Sequence, residues 1–417
     1  MAKAFLKKYR ELGRIVGRTY APFCFIYYFL HRQLENLFMF FLRRVFPVND
    51  RIIILRSMPD YADNARALAE YMVEHGYAKK YSIYFDVSDT KKYKRNDDQI
   101  KFISLETKLG LYRLKNLKLV VTAKYLMSTH KPVLIRKRAR NEQLIINLWH
   151  GCGYKDKSSQ QGNGHAVFDF AIVPGELFVK PKSYFWNIEE EKILPIGYPR
   201  YDWLREEDRE VRQVLDSFKN NADSRVVLWM PTYRADKRGV YTDSNSITQF
   251  PLVDKVEKWQ ELDRYCAELD IVLVVKLHPF QKEYGIPFDS FTNIKEITNQ
   301  VFENADVPMY KFIALTDALI SDYSSVAVDY LIVDRPIAFT LDDYEEYKNT
   351  RGFVFDDPRV YMPGHHLYSF EDLTNFLKDI STGKDEYREE RQRMKSYAIC
   401  QTDDYCKMLL DKFGILF

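Results

Sequence analysis

The sequence predicts an α/β protein of two similar domains facing across a cleft, preceded by a basic, aromatic helical segment. Three observations lead to that class. From Asp50 onward, short apolar runs alternate with longer polar–apolar stretches. The alternation begins afresh after residue 224. Within the runs, Ile and Val occupy consecutive positions, as in strands buried on both faces of a parallel sheet.

Length and composition agree with this class. The 417 residues give room for two cores. Hydrophobic residues at 46% and charged ones at 29% exclude a disordered chain. The five cysteines, Cys24, Cys152, Cys266, Cys400 and Cys406, show no paired metal-ligand spacing. An odd, scattered set fits reduced cytosolic thiols better than a disulfide framework.

Residues 1–47 form the first element. Up to Arg44, nine Lys and Arg stand against Glu11 and Glu35, a balance of +7, so residues 45–417 carry −4 of the total of +3. Lys3, Lys7, Arg10, Arg14 and Arg18 recur at helical spacing and make one stripe. The runs "YAPFCFIYYFL" and "LENLFMFFLRRVF" follow, interrupted by Arg32 and Glu35. Neither reaches the ~18 apolar residues of a spanning helix, and no small-residue cleavage site marks a secretory signal. Cations beside aromatic rings suit an anionic membrane surface. The plainer reading is a basic helix packed on its own domain with a solvated face. Nucleic acid is not the expected partner, since the rest of the chain is slightly acidic and carries no nucleic-acid module.

Residues 48–202 form the first Rossmann-like domain. "RIIILRS" reads as a strand and "DNARALAEYMVEHG" as a helix with an acidic start and a glycine stop. "YSIYFDV", "IKFISL", "KLVVTA", "QLIINLWH", "FDFAIVPG" and "KILPIGY" read as further strands. A long charged helix, Trp203–Asn221, lies in the connection 203–224. Residues 225–417 form the second Rossmann-like domain, with strands in "RVVLWMPTYR", "IVLVVKLHPF", "ALISDYSSVAVDYLIV" and "RPIAFTL", a helix around Val253–Leu269 and a helical tail from Glu371.

In such sheets ligands bind beyond the carboxyl ends of the strands, and several polar groups fall there. His150 ends "QLIINLWH" beside Gly151, where the missing side chain permits close approach. An imidazole with an ordinary pKa of ~6.5 can take a hydroxyl proton near neutral pH. His278, ahead of Pro279, ends "VLVVKLHP"; a lone histidine of this kind is more often structural. Thr232 and Arg234 end the strand of "VVLWMPTYR". Asp322, Ser324 and Ser325 lie where a strand gives way to a helix, a place suited to phosphate. Plain N-capping explains one or two of these residues but not the whole polar run. Lys155 either meets a phosphate or is simply solvated. Cys152 has no base within its motif and reads as a small packed residue. No pattern supports a metal; Mg²⁺ held at Asp322 through a pyrophosphate is the remaining metal reading. His365-His366 reads as part of a polar loop. No GxGxxG fingerprint is present, which counts against a nicotinamide or flavin enzyme.

Taken in order, six stretches resemble the CDP-glycerol glycerophosphotransferase family, which primes or polymerises teichoic acids and related poly(alditol phosphate) polymers. They are "LWHGCGYK", "GYPRYD" (Gly197–Asp202), "MPTYR" (Met230–Arg234), "KLHP" (Lys276–Pro279), "ISDYSSVAVDYLIVDRPIAF" (Ile320–Phe339) and "RGFVFD" (Arg351–Asp356). The resemblance implies a two-Rossmann, GT-B-like fold, with CDP-glycerol or CDP-ribitol bound mainly by the second domain and no cofactor required. It implies His150 as the base, His278 as a contact to the donor diphosphate, Arg234, Ser324 and Ser325 as its holders, and Asp322 as a residue shaping the loop. The acceptor would be a lipid-linked polymer at the cytoplasmic face of the membrane, with the enzyme attached peripherally. Family members commonly read Trp-His-Gly-Thr-Pro-Leu-Lys, whereas this chain has Cys152, Gly153 and Tyr154 in the middle. These three positions are expected to border the acceptor. A sugar transferase of the same architecture, using a nucleotide sugar, is the competing enzyme class; a catalytically silent scaffold is the non-enzymatic one.

Overall fold

The computed structural model describes residues 21–93, 98–130, 133, 138–155, 167–232, 250–277 and 286–417. The basic stripe from Lys3 to Arg18, together with Arg234, His278 and Pro279, lies outside the described residues. The chain divides into two compact units. One comprises 1–150, 167–171 and 414–417; the other comprises 151–166 and 172–413.

The first unit holds six strands of a seven-stranded sheet. They are β1 (Asn49–Arg56), β2 (Ser82–Asp86), β3 (Ile100–Ile103), β4 (Ala123–Ser128), β5 (Leu144–Asn147) and β6 (Phe170–Ile172). Their order is β3-β2-β1-β4-β5-β6, and the pairs β1–β2, β1–β4, β2–β3, β4–β5 and β5–β6 are parallel. The order reverses between β1 and β4, as in a Rossmann sheet. Ile53, Ile54 and Leu55 are fully buried, which is why β1 needs an unbroken apolar run at its centre.

The second unit contains β7 (Ile193–Leu194), where Val173 N donates to Leu194 O at 2.9 Å. Its six-stranded sheet is built from β8 (Arg225–Trp229), β9 (Ile271–Val275), β10 (Ile294–Glu296), β11 (Ala318–Ser321), β12 (Ile337–Thr340) and β13 (His365–Leu367). The order β10-β9-β8-β11-β12-β13 repeats the same plan, reversing between β8 and β11. All five strand pairs are parallel. Trp229, Phe250 and Trp259 anchor the core on one face, with the Trp229 and Phe250 centroids 4.7 Å apart edge to face.

Four details differ from the sequence expectation. "KLVVTA" is mostly a helix, Leu117–Thr122, and the strand begins only at Ala123. Leu117, Val120 and Val121 sit at helical spacing and bury one face in the first core, a pattern a short apolar run shares with a strand. The long helix expected over Trp203–Asn221 is instead a 3-10 turn, Pro199–Arg205, followed by a helix at Arg209–Asp216. Asp208 separates them, its side chain accepting from Glu210 N and Val211 N as an N-cap. His365 and His366 are not in a loop; they pair with Ala338 and Phe339 in β13. The short strand β10 carried too few residues to register as a run.

Ala21–Val45 is one continuous helix. Glu35 and Met39 are buried, and Met39 joins the first core beside Leu117 and Val120. Phe23, Ile26, Phe29, Leu30, Leu34, Leu37, Phe38, Phe40 and Phe41 stay exposed. No helix among the described residues is long and apolar enough to cross a membrane.

Candidate active site

The corner around His150 is made at the carboxyl ends of β1, β4 and β5. Past β5 the backbone extends by one more sheet bond, Leu148 N donating to Ser128 O at 2.7 Å. Asn147 Oδ1 accepts from Trp149 N at 2.9 Å, and Trp149 takes a left-handed φ of 50°. Buried Asn64, in the first turn of the helix after β1, donates from Nδ2 to Leu148 O at 3.0 Å and Trp149 O at 2.9 Å. These bonds bend the strand end and deliver His150 half-buried. Its Nδ1 lies 3.3 Å from Thr129 O. A carbonyl only accepts, so this contact favours the proton on Nδ1 and a lone pair on Nε2.

In the second unit, the turn that follows β11 is the centre of a separate polar cluster. Asp322 is fully buried and its carboxylate accepts from Thr232 N at 2.7 Å and from the Thr232 hydroxyl, tying the ends of β8 and β11 together at the sheet reversal. Ser321 Oγ donates to Met230 O at 2.9 Å across the same junction. Ser324 opens the helix Ser325–Tyr330 without a side-chain cap bond, so N-capping is not what its hydroxyl does.

The segment Gly151–Lys155 lies on this turn. A Cβ built at Gly151 would stand 2.4 Å from Ser325 Oγ, and φ there is 140°; only glycine fits. A Cβ at Gly153 would come 2.7 Å from Ser325 N and 2.9 Å from Tyr323 O. Tyr154 N donates to Tyr323 O at 3.3 Å, Val354 N donates to Tyr154 O at 2.9 Å, and Lys155 bridges to Phe353. The turn is backed by a buried pair: Arg200 donates to Asp329 Oδ2 at 2.6 Å, both fully buried, and Tyr201 and Tyr310 donate to the same carboxylate at 2.7 and 3.1 Å. Burial pushes the Asp329 carboxyl up while Arg200 pulls it back toward the charged form.

The structure thus brings Gly151, Thr232, Asp322, Ser324 and Ser325 into one cluster, with Lys155 at its end. Sequence reading missed Arg200 and Asp329 behind it, and Asn64, Thr129 and His130 around His150. A fully buried arginine needs a partner, so the polar run in "GYPRYD" was the available clue. Of Cys152, Gly153 and Tyr154, expected to border the acceptor, Cys152 and Tyr154 turn inward instead. Cys152 is fully buried with Sγ 3.2 Å from Tyr198 Oη, and burial pushes its thiol up, as suits packing and not nucleophilic attack. Tyr154 is buried and donates to Tyr361 O at 2.7 Å. Asp322 gives both carboxylate oxygens to Thr232, and among the described residues no three His, Cys, Asp or Glu gather as metal ligands.

Two Rossmann sheets, each with polar groups at the carboxyl ends of its strands, define the class of GT-B-like α/β proteins. The wall teichoic acid polymerase TagF, solved as a histidine variant, has this fold: TM-score 0.70 at 19% identity over 99% of this chain and 97% of that one. The family model for CDP-Glycerol:Poly(glycerophosphate) glycerophosphotransferase matches residues 37–406, and the chain belongs to that family. The teichoic acid glycerol-phosphate primase of Bacillus spizizenii is 26% identical, over 86% of this chain and 90% of the relative. The teichoic acid ribitol-phosphate polymerase TarL of Staphylococcus aureus is 28% identical over 59% of this chain. The chain spans about half the length of TarL and of the related TarK, 44% and 48% of their residues.

Proposed function

We propose that the protein transfers glycerol phosphate from CDP-glycerol to a hydroxyl of a membrane-linked, teichoic-acid-type or capsule-type acceptor, releasing CMP. The observation that carries this reading is the seating of Gly151 and Gly153 on the Ser324–Ser325 turn, directly after His150 in the chain. His150 Nε2 takes the acceptor hydroxyl proton. The oxygen so freed attacks the β-phosphorus of the donor; the new O–P bond forms as the bond to the bridging oxygen breaks, and CMP leaves with that oxygen and its electron pair. The hydroxyls of Ser324 and Ser325, with Lys155 and Arg234, hold the diphosphate, and His278 donates to it. Asp322 acts by fixing Thr232 and the turn. Rate enhancement rests on alignment and charge stabilisation, as in other phosphoryl transfers.

The exposed apolar face of the helix Ala21–Val45, flanked by Arg32, Arg43 and Arg44, supports attachment to the anionic cytoplasmic face of the membrane, where a lipid-linked acceptor would lie. CDP-ribitol is the second reading, favoured by the likeness to TarL and TarK. The test offers CDP-glycerol, CDP-ribitol and UDP-sugars in parallel with a lipid-linked acceptor and identifies the nucleotide released. CMP with glycerol phosphate incorporated is the expected result. CMP with ribitol phosphate selects the second reading, and UDP release with sugar incorporation overturns both.

A further inference from the structure

We infer that His130 is a positioning residue for His150, an inference that rests on the role of proton acceptor given to His150 above. The two imidazoles lie face to face, with centroids 3.9 Å apart and planes within 8°. The indole of Trp149 also contacts the His150 ring, at 4.0 Å and 38°. One residue serves both histidines: the Thr129 carbonyl accepts from His150 Nδ1, and the Thr129 hydroxyl bonds His130 Nδ1 at 2.9 Å. Thr129 is itself fully buried and donates from its N–H to Arg56 O at 3.1 Å, so the ends of β1 and β4 fix it.

The Nδ1 bond fixes one atom of the imidazole, and a ring stacked flat against it fixes the plane. His150 also sits between two unusual backbone positions, Trp149 at φ 50° and Gly151 at φ 140°. The parallel His130 ring holds the plane of its imidazole. Nε2 lies across the ring from Nδ1, so a tilt of the plane carries the lone pair away from the hydroxyl. A base must reach that hydroxyl within ~2.6–3.2 Å, and a misplacement of ~1 Å costs on the order of 100-fold. His130 acts through His150 and not on the substrate.

The experiment measures kcat, donor KM and thermal midpoint for the wild type, His150→Ala, His130→Ala, His130→Phe and the double alanine variant, with CDP-glycerol and CDP-ribitol each as donor. His130→Ala should lower kcat by about tenfold or more with donor KM and thermal midpoint unchanged. His130→Phe keeps a flat ring and should recover most of the loss. In the His150→Ala background, which alone should cost at least ~100-fold, His130→Ala should cost nothing further. Unchanged kcat in His130→Ala, or a phenylalanine variant as slow as the alanine one, overturns the inference and leaves His150 as base. Wild-type turnover in His150→Ala overturns the base assignment and this inference with it. Should His130→Ala fail to fold, His130→Gln, which keeps bulk without an aromatic ring, takes its place under the same outcomes.

Discussion

Two groups of side chains, one in each unit, are held in opposite ways. The first group lies at the surface: His150 and His130 are half-buried, and one helix carries a broad face of exposed Phe, Leu and Ile. The second group is shut in: Arg200, Asp329, Asp322, Cys152 and Tyr154 are all buried, each with a polar contact of its own. A half-open group can meet a substrate or a membrane, whereas a sealed one can act only on the fold around it. Substitutions of these half-open groups should therefore register in turnover or binding, and those of the sealed ones in stability.

The largest effect that follows is in the second unit. Asp329→Asn keeps the shape of the side chain and removes the charge facing Arg200. A buried guanidinium without a compensating carboxylate should cost about 3–5 kcal/mol of stability, read by denaturant unfolding. The turn that Gly151 and Gly153 pack against would loosen with it, since Asp329 lies in the helix that Ser325 begins. A loss below ~1 kcal/mol would mean that burial in this unit does not translate into stability, and the contrast between the units would fall.

Lys276 sharpens the same contrast, because it is a sealed charge whose side chain donates to a neutral group, Asn299 Oδ1, at 2.7 Å. Burial pushes its pKa down to about 8, with Glu296 pulling the other way. In the unfolded chain the same group holds its proton to ~10.4. Between those two values the unfolded state binds more protons, so stability rises with pH across that window; below it the native state carries the full cost of a buried ammonium. Lys276→Met should remove this slope. Its advantage over the wild type should be about 3 kcal/mol near pH 7 and should shrink toward zero as the pH rises through ~10. Parallel stability–pH curves for the two proteins would show that Lys276 is not a strained charge.

How much of this was legible in the sequence follows the same division. Strands buried on both faces, such as those containing Ile53–Leu55 and Val272–Val275, write their burial into consecutive residues, so the two sheets were readable. Strand ends also announce themselves, which is why Gly151, Thr232, Asp322 and Ser325 could be named before their contacts were seen. What could not be read was pairing across long sequence distance. Nothing local to Arg200 points to Asp329, nor does anything local to His150 point to His130 and Asn64. Register and crossover connections create those contacts. The same blindness misplaced Tyr154, whose partner Tyr361 is remote in the chain.

The smallest effect concerns the outward face of the first unit. Phe29 and Phe41 are about half exposed on the helix Ala21–Val45, while the opposite side of that helix is tied down by buried Met39. Replacing both by Ser leaves the packed side untouched, so fold and turnover on a soluble acceptor should not change. Binding to vesicles rich in anionic phospholipid should weaken about tenfold, as expected when two aromatic rings that insert partway are lost. Vesicles of neutral lipid separate the contribution of the rings from that of Arg32, Arg43 and Arg44, since the arginine share fades with lipid charge and the aromatic share does not. Sedimentation with vesicles measures both. Undiminished binding of the double variant would show that this face does not meet the bilayer, and the contrast between the units would then rest on the His150 corner.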